Sequence, residues 1–115
     1  MNITGARFAQ TWYRESFSAG QEALFKGKTI NDVAAALRTG ELAPQDVPIN
    51  VIVRRGNTLI LNTRSAQALQ RAGIPRSDWS VIDRTGDSVY EKLLNQQLIN
   101  NGLDNTGYPN PVSRG

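Results

Sequence analysis

The clearest alternation of apolar and polar positions runs from Pro48 to Arg64, PINVIVRRGNTLILNTR. Ile49, Val51 and Val53 recur at every second residue, and Leu59 and Leu61 repeat the pattern beyond Arg55-Gly56-Asn57. Such spacing predicts a β-hairpin turning on those three residues, because Gly and Asn tolerate the positive φ that a tight turn needs. Ile49, Val51, Val53, Leu59 and Leu61 are then expected to form one core face. Strand side chains switch sides at every residue, so the other face would carry Asn50, Arg54, Thr58, Asn62 and Arg64, interrupted by Ile52 and Ile60. That polar face reads either as an anion-binding surface or as the wet side of an antiparallel pair.

The rest of the pattern arranges helices around this hairpin. Phe8 and Trp12, like Tyr13 and Phe17, stand four apart, which predicts a helix from Ala6 to Phe17. Ser18-Ala19-Gly20 should break it, and Gln21 to Phe25 resume it briefly. Thr29 and Asp32 have the spacing of a short capping box, followed by a buried stripe of Ile30, Val33, Ala34 and Leu37 and a stop at Gly40. Glu41 to Pro48, with two prolines, is an extended connector. A two-turn helix is expected over Ser65–Ala72, a third strand over Trp79–Asp83 and a last helix over Asp87–Asn101 with Tyr90, Leu93, Leu94 and Leu98 inward. The expected fold is α+β: a small antiparallel sheet, built on a central hairpin, packed against N- and C-terminal helices. Residues 1–104 read as one domain and 105–115 as a mostly irregular tail rich in Asn, Gly and Pro.

Composition narrows the chemistry. A chain of 115 residues supports one modest core. There is no cysteine, so neither a disulfide framework nor a thiolate metal site can form. There is no histidine either, which removes the usual general base near neutral pH, the commonest metal ligand and the His-dependent triads. The carboxylates form no spaced cluster, so no metal or other cofactor is expected. No apolar run is long enough to span a membrane, and no signal-peptide pattern opens the sequence.

The net charge of +3 is unevenly distributed. Residues 51–86 hold Arg54, Arg55, Arg64, Arg71, Arg76 and Arg84 against only Asp78 and Asp83. Planar, bidentate guanidiniums suit phosphate, which makes nucleic acid the first partner to consider. Among reactions open to a chain without His or Cys is RNA cleavage, because the 2′-OH is an internal nucleophile that mainly needs alignment and charge stabilisation. The candidate catalytic groups stand where predicted strands end: Arg54 at the hairpin tip, Asn62, Thr63 and Arg64 at its exit, and Asp83 and Arg84 after the third strand. Should that strand pair with the second, Arg64 and Arg84 would converge on one phosphate with Asp83 as orienter or base. Arg55, Arg76, Ser77, Trp79, Thr85 and the basic pair Lys26 and Lys28 are candidate substrate contacts. The same side chains also suit loop-tying salt bridges and a half-core Trp79.

The segments INDVAAALRTGEL, DVPINVIVRRGNTLILNTRSAQALQRAGIPRSDW and IDRTGD, about half the chain, resemble the C-terminal toxin modules of bacterial polymorphic toxins, including contact-dependent growth inhibition effectors. The resemblance implies a compact ribonuclease fold of the barnase and colicin type and a metal-independent endoribonuclease activity, foremost against tRNA. It also implies a monomeric module displayed on a larger exoprotein, acting in the cytoplasm of a target bacterium and blocked by a cognate, acidic immunity protein. A host translation elongation factor that docks on the aromatic N-terminal segment is a further implied partner. Lys26-Gly27-Lys28 and Ser77-Asp78-Trp79 resemble the Lys-x-Lys-His and Ser-x-Trp patterns of colicin D, with Thr29 where that pattern has histidine. Action on DNA or a nucleotide cofactor, and a non-catalytic RNA- or protein-binding role, are the alternatives.

Overall fold

A computed structural model describes residues 1–17 and 25–115, so the predicted break at Ser18-Ala19-Gly20 and most of the resumption to Phe25 lie outside the described residues. Two short strands open the chain, β1 (Arg7–Phe8) and β2 (Trp12–Tyr13), followed by α1 (Ile30–Thr39). The hairpin is β3 (Ile49–Arg54) and β4 (Asn57–Ile60). After it come α2 (Thr63–Arg71), β5 (Val81–Asp83), α3 (Ser88–Asn100) and β6 (Val112–Ser113).

The hairpin forms one residue tighter than its pattern suggests. Arg54 pairs with Asn57 across a two-residue turn, Arg55-Gly56, whose φ values are 52° and 79°. Positive φ at both central positions is the turn geometry that matches the twist of paired strands. The tighter turn reverses the parity of β4 against β3. Val51 now faces the same way as Ile60, and Ile52 the same way as Leu59. Both faces are therefore apolar, and both are buried. The expected wet face does not exist.

On one side, Ile30, Val33 and Leu37 of α1 and Ala66 and Leu69 of α2 join a core cluster with Ile49, Val51 and Ile60. On the other, Leu94 and Leu98 of α3 share a second cluster with Ile52, Leu59, Leu61 and Ala9. Full burial of an aliphatic side chain of this size contributes about 1.5–3 kcal/mol.

The sheet is mixed rather than antiparallel, with strand order β1-β4-β3-β5. Only β3 and β4 run antiparallel; β1 pairs parallel with β4, and β5 parallel with β3. The third predicted strand thus joins the outer edge of the first hairpin strand, not the second. The reason lies in the chain return: α2 and the turn after it bring the backbone back beside the start of β3, where Ile49 N donates to Ser80 O at 2.8 Å.

The helix expected over Ala6–Phe17 does not form. Phe, Thr, Trp and Tyr fit a pleated, half-buried strand better than a helix, and here both short strands find partners. Arg7 and Phe8 pair with Leu59 and Ile60, while Trp12 and Tyr13 pair parallel with Val112 and Ser113. The tail is irregular for most of its length but pinned: Phe8 and Tyr108 exchange backbone hydrogen bonds at 2.8 Å, and Arg114 N donates to Tyr13 O at 2.8 Å.

Both capped helices follow their local sequence. Thr29 Oγ1 accepts from Asp32 N and Asp32 Oδ2 accepts from Thr29 N, while Gly40 closes α1 with φ 84°. Asp87 caps α3 by accepting from Val89 N and Tyr90 N.

Gly107 marks where the tail presses closest to β1. Its φ is +70°, and a Cβ there would sit 2.6 Å from Leu59 Cδ2 and 2.7 Å from Phe8 O. Gly107→Ala is expected to cost about 2–4 kcal/mol from strain and overpacking. Gly40→Ala, with φ +84° but nothing within 4 Å, should cost about 1 kcal/mol. Urea midpoints of the two variants measure the difference.

Candidate functional site

The hairpin exit leads straight into a cleft of about 360 Å³. Leu61, Asn62, Thr63 and Arg64 form one wall, Gln10, Trp12 and Tyr13 a second, and Leu93, Gln97, Asn100 and Asn101 of α3 and its C-terminal cap a third. Five carboxamides, one guanidinium and the hydroxyls of Thr63 and Tyr13 thus meet at two aromatic rings, with no carboxylate among the described lining residues. Arg14 and Arg114 lie over the Trp12 ring at 5.4 and 4.7 Å from its centroid, so the indole carries positive charge around it.

Several walls are fixed by hydrogen bonds made within the protein. Asn62 ties the hairpin ends together, accepting from Asn50 N at 2.9 Å and donating to Pro48 O at 2.8 Å. Asn101 accepts from Thr11 N and Thr11 Oγ1 and donates to Gln97 O. Tyr13 OH accepts from Arg71, which also forks onto Glu15, Nη1 to Oε1 at 2.5 Å and Nη2 to Oε2 at 2.8 Å. Ser113 Oγ donates to the same carboxylate from β6. Hydrogen bonding from Arg71, more than its charge, pulls the Glu15 pKa from 4.5 to about 2.

The predicted site residues separate into groups. Asn62, Thr63 and Arg64 come together in the cleft. Arg84 is not among the lining residues; it donates Nε to Asn50 Oδ1 at 3.0 Å and stacks 4.4 Å over the Tyr90 ring. Arg54 goes elsewhere. It forks onto Glu91 at 2.5 Å and Asn95 at 2.7 Å and lines a separate hollow with Leu98 and Leu103. The hairpin tip that bears it and the hairpin exit that bears Arg64 are opposite ends of the sheet, so the two guanidiniums do not converge.

Asp83 is exposed and accepts from Thr85 N and Thr85 Oγ1, whose hydroxyl in turn accepts from Val53 N. Those Thr85 contacts lower its pKa, which makes it a poorer base near neutral pH, and it is not among the cleft-lining residues. Arg76 is a staple: its Nη1 donates to the carbonyls of Ile3, Thr4 and Ala6, and it stacks on Phe8 and Trp79. Trp79 is 7% exposed and donates Nε1 to Ile74 O, so no base can stack on it. Arg55 and Ser77 are exposed and apart from the cleft; so is Lys26, while Lys28 borders a different hollow beside α1.

Gln10, Gln97 and Asn100 are cleft residues that the pattern did not single out, and Trp12 and Tyr13 were expected on an aromatic helix rather than in a cleft. One signal was present: Leu93, Gln97 and Asn100 stand at i, i+4 and i+7, a stripe flanking the apolar face of α3. Phe8, Tyr13, Phe17 and Phe25 are in the core, which leaves Trp12 as the one partly exposed ring of the N-terminal aromatic set. Among the described residues no group of three or more His, Cys, Asp or Glu side chains could hold a metal ion.

Comparison with known proteins adds no relative. No family model, curated protein or solved structure matches this chain. Its functional reading therefore rests on the cleft and on the residues that build it.

The Glu15 carboxyl is depressed in the folded state, so its pair with Arg71 stabilises fully above the unfolded value of 4.5 and loses that contribution as pH falls toward 2. The stability gap between wild type and Glu15→Gln should be widest at pH 6–7, smaller at pH 3.5 and nearly closed at pH 2, as read from urea midpoints at each pH.

Proposed function

We propose that this domain binds and cuts RNA, foremost tRNA, as the toxin module of a larger exoprotein, and that an acidic immunity protein neutralises it. The observation that carries the reading is the composition of the cleft: partly exposed Trp12 with two guanidiniums over its ring, Arg64 and a wall of carboxamides, without a carboxylate among the described lining residues to repel phosphate. Stacking platforms ringed by positive charge are how single-stranded nucleic acid is held. The net charge of +3 and the exposed Lys26, Arg55 and Lys92 give an acidic inhibitor complementary surface.

In this reading Arg64 holds the scissile phosphate and stabilises the extra negative charge of the phosphorane, while the cleft walls fix the ribose so that its 2′-OH lies in line. The 2′ oxygen bonds to phosphorus, its proton passes to solvent, and the 5′ oxygen leaves and is protonated by water. The products are a 2′,3′-cyclic phosphate and a 5′-hydroxyl end. A non-catalytic RNA-binding role is the second reading, favoured by one feature: the described residues that line the cleft include no side chain that serves as a general base near neutral pH.

Purified domain incubated with total tRNA in EDTA is expected to yield fragments ending in 2′,3′-cyclic phosphate. Arg64→Ala, with an unchanged circular dichroism spectrum, should slow their appearance about a hundredfold. RNA that is retained in a gel shift but stays intact would establish the binding reading instead, and intact RNA with no shift would sink both.

A further inference from the structure

Two polar atoms of the cleft walls are buried without a hydrogen-bond partner: Thr63 Oγ1, on a residue only 1% exposed, and Gln97 Oε1. They stand out because the amides of Asn62 and Asn101 beside them are satisfied. Both ends of the Asn62 and Asn101 side chains are taken by the protein, and Asn100 Oδ1 accepts from Gln96. Gln97 Nε2 donates to Leu61 O at 3.2 Å. Turning the amide over would set one oxygen against another, so Gln97 is held with Oε1 as an acceptor in search of a donor. Orphaned buried groups cost stability, and in a concave site they mark where a ligand's polar edge belongs.

We infer that the cleft is a subsite for one nucleobase of single-stranded RNA, which presents an N–H to Gln97 Oε1 and a second polar atom to the Thr63 hydroxyl while its phosphate lies toward Arg64. This rests on the RNA reading above and specifies how that cleft reads its substrate. A fixed acceptor beside a rotatable hydroxyl complements the N–H and adjacent acceptor that nucleobases carry on their pairing edges. Trp12 lies within the same walls with the Arg14 and Arg114 guanidiniums over its ring, and about 360 Å³ lies within the size range of small-ligand pockets. A phosphate alone would leave Gln97 Oε1 unpaired, because a phosphate dianion offers it no donor.

The subsite is tested with pairs of nucleoside 3′-monophosphates that differ only in the donor: cytidine against N4,N4-dimethylcytidine, and uridine against 3-methyluridine. Calorimetric titration into the wild-type chain is expected to show binding of at least one unmodified nucleotide, with its methylated counterpart at least tenfold weaker. Thr63→Val removes a hydroxyl that has no partner in the free protein, so its Tm should be unchanged or higher while nucleotide affinity falls about tenfold. Gln97→Met should abolish the distinction between each nucleotide and its methylated form. Equal binding of the members of each pair to the wild-type chain, or no nucleotide binding at all, overturns the subsite without depending on how any variant folds. Cleavage of tRNA by the same samples separates the two ideas. Cleavage that is indifferent to Thr63→Val and Gln97→Met discards the subsite and leaves the ribonuclease reading standing. Donor-dependent binding without cleavage keeps the subsite and discards catalysis.

Discussion

The register of a single hairpin controls the architecture. With Arg55 and Gly56 alone at the turn, Arg54 meets Asn57, and every side chain of β4 is assigned to a face by that one pairing. Val51 and Ile60 go to one side and Ile52 and Leu59 to the other, so a two-stranded unit acquires two apolar faces. A sheet buried on both sides needs cover on both sides. The helices α1 and α2 supply it on one face and α3 on the other. Parallel partners β1 and β5 then complete the sheet on either edge, which leaves little of the hairpin backbone exposed to recruit another chain.

Much of the local excess of arginine is used to hold the fold together. Arg71 clamps β2, β6 and the N-terminal side of α1 through Glu15, Tyr13 and Asn31. Arg54 fastens the hairpin tip to α3, and Arg76 gathers three carbonyls of the N-terminal segment. Burial around Arg76 disfavours its charge, and the pKa falls accordingly, yet its three acceptors keep the guanidinium paired. Local charge along a sequence is thus a poor guide to surface potential once some of those charges are internally matched. The guanidiniums at the cleft are that of Arg64, whose Nε donates to Arg14 O, and those of Arg14 and Arg114 over Trp12.

The cleft itself is a seam. Its walls come from residues near 10, near 62 and near 97, brought together because β1 lies beside β4 and α3 crosses the same face of the sheet. No one segment contains enough of it to be recognised as a motif. Thr63 and Gln97 illustrate the point, since a threonine at a helix start and a glutamine on a helix flank are ordinary in isolation and gain meaning only from being buried, unpaired and across one cavity.

Local rules were sufficient for the capped helices. Thr29 with Asp32, Gly40 and Asp87 act on neighbours within four residues, so the bounds of α1 and α3 and the buried stripe Ile30, Val33, Ala34 and Leu37 could be read directly from residue order. Asn62, Thr63 and Arg64 were legible as a group for the same reason. The hairpin was legible as an element, but its register was not, because Arg55-Gly56-Asn57 and Arg55-Gly56 are both workable turns and differ by the one residue that reverses a strand's faces. Neither could periodicity decide the N-terminal segment: aromatic residues four apart suit a helix stripe, and only the exposed edges of β4 and the tail, far off in sequence, made two short strands the better use of Phe8, Trp12 and Tyr13. The parallel edges, the closure of the cleft and the diversion of Arg54 to α3 all depend on contacts between residues distant in sequence, where tertiary packing rather than local preference sets the outcome.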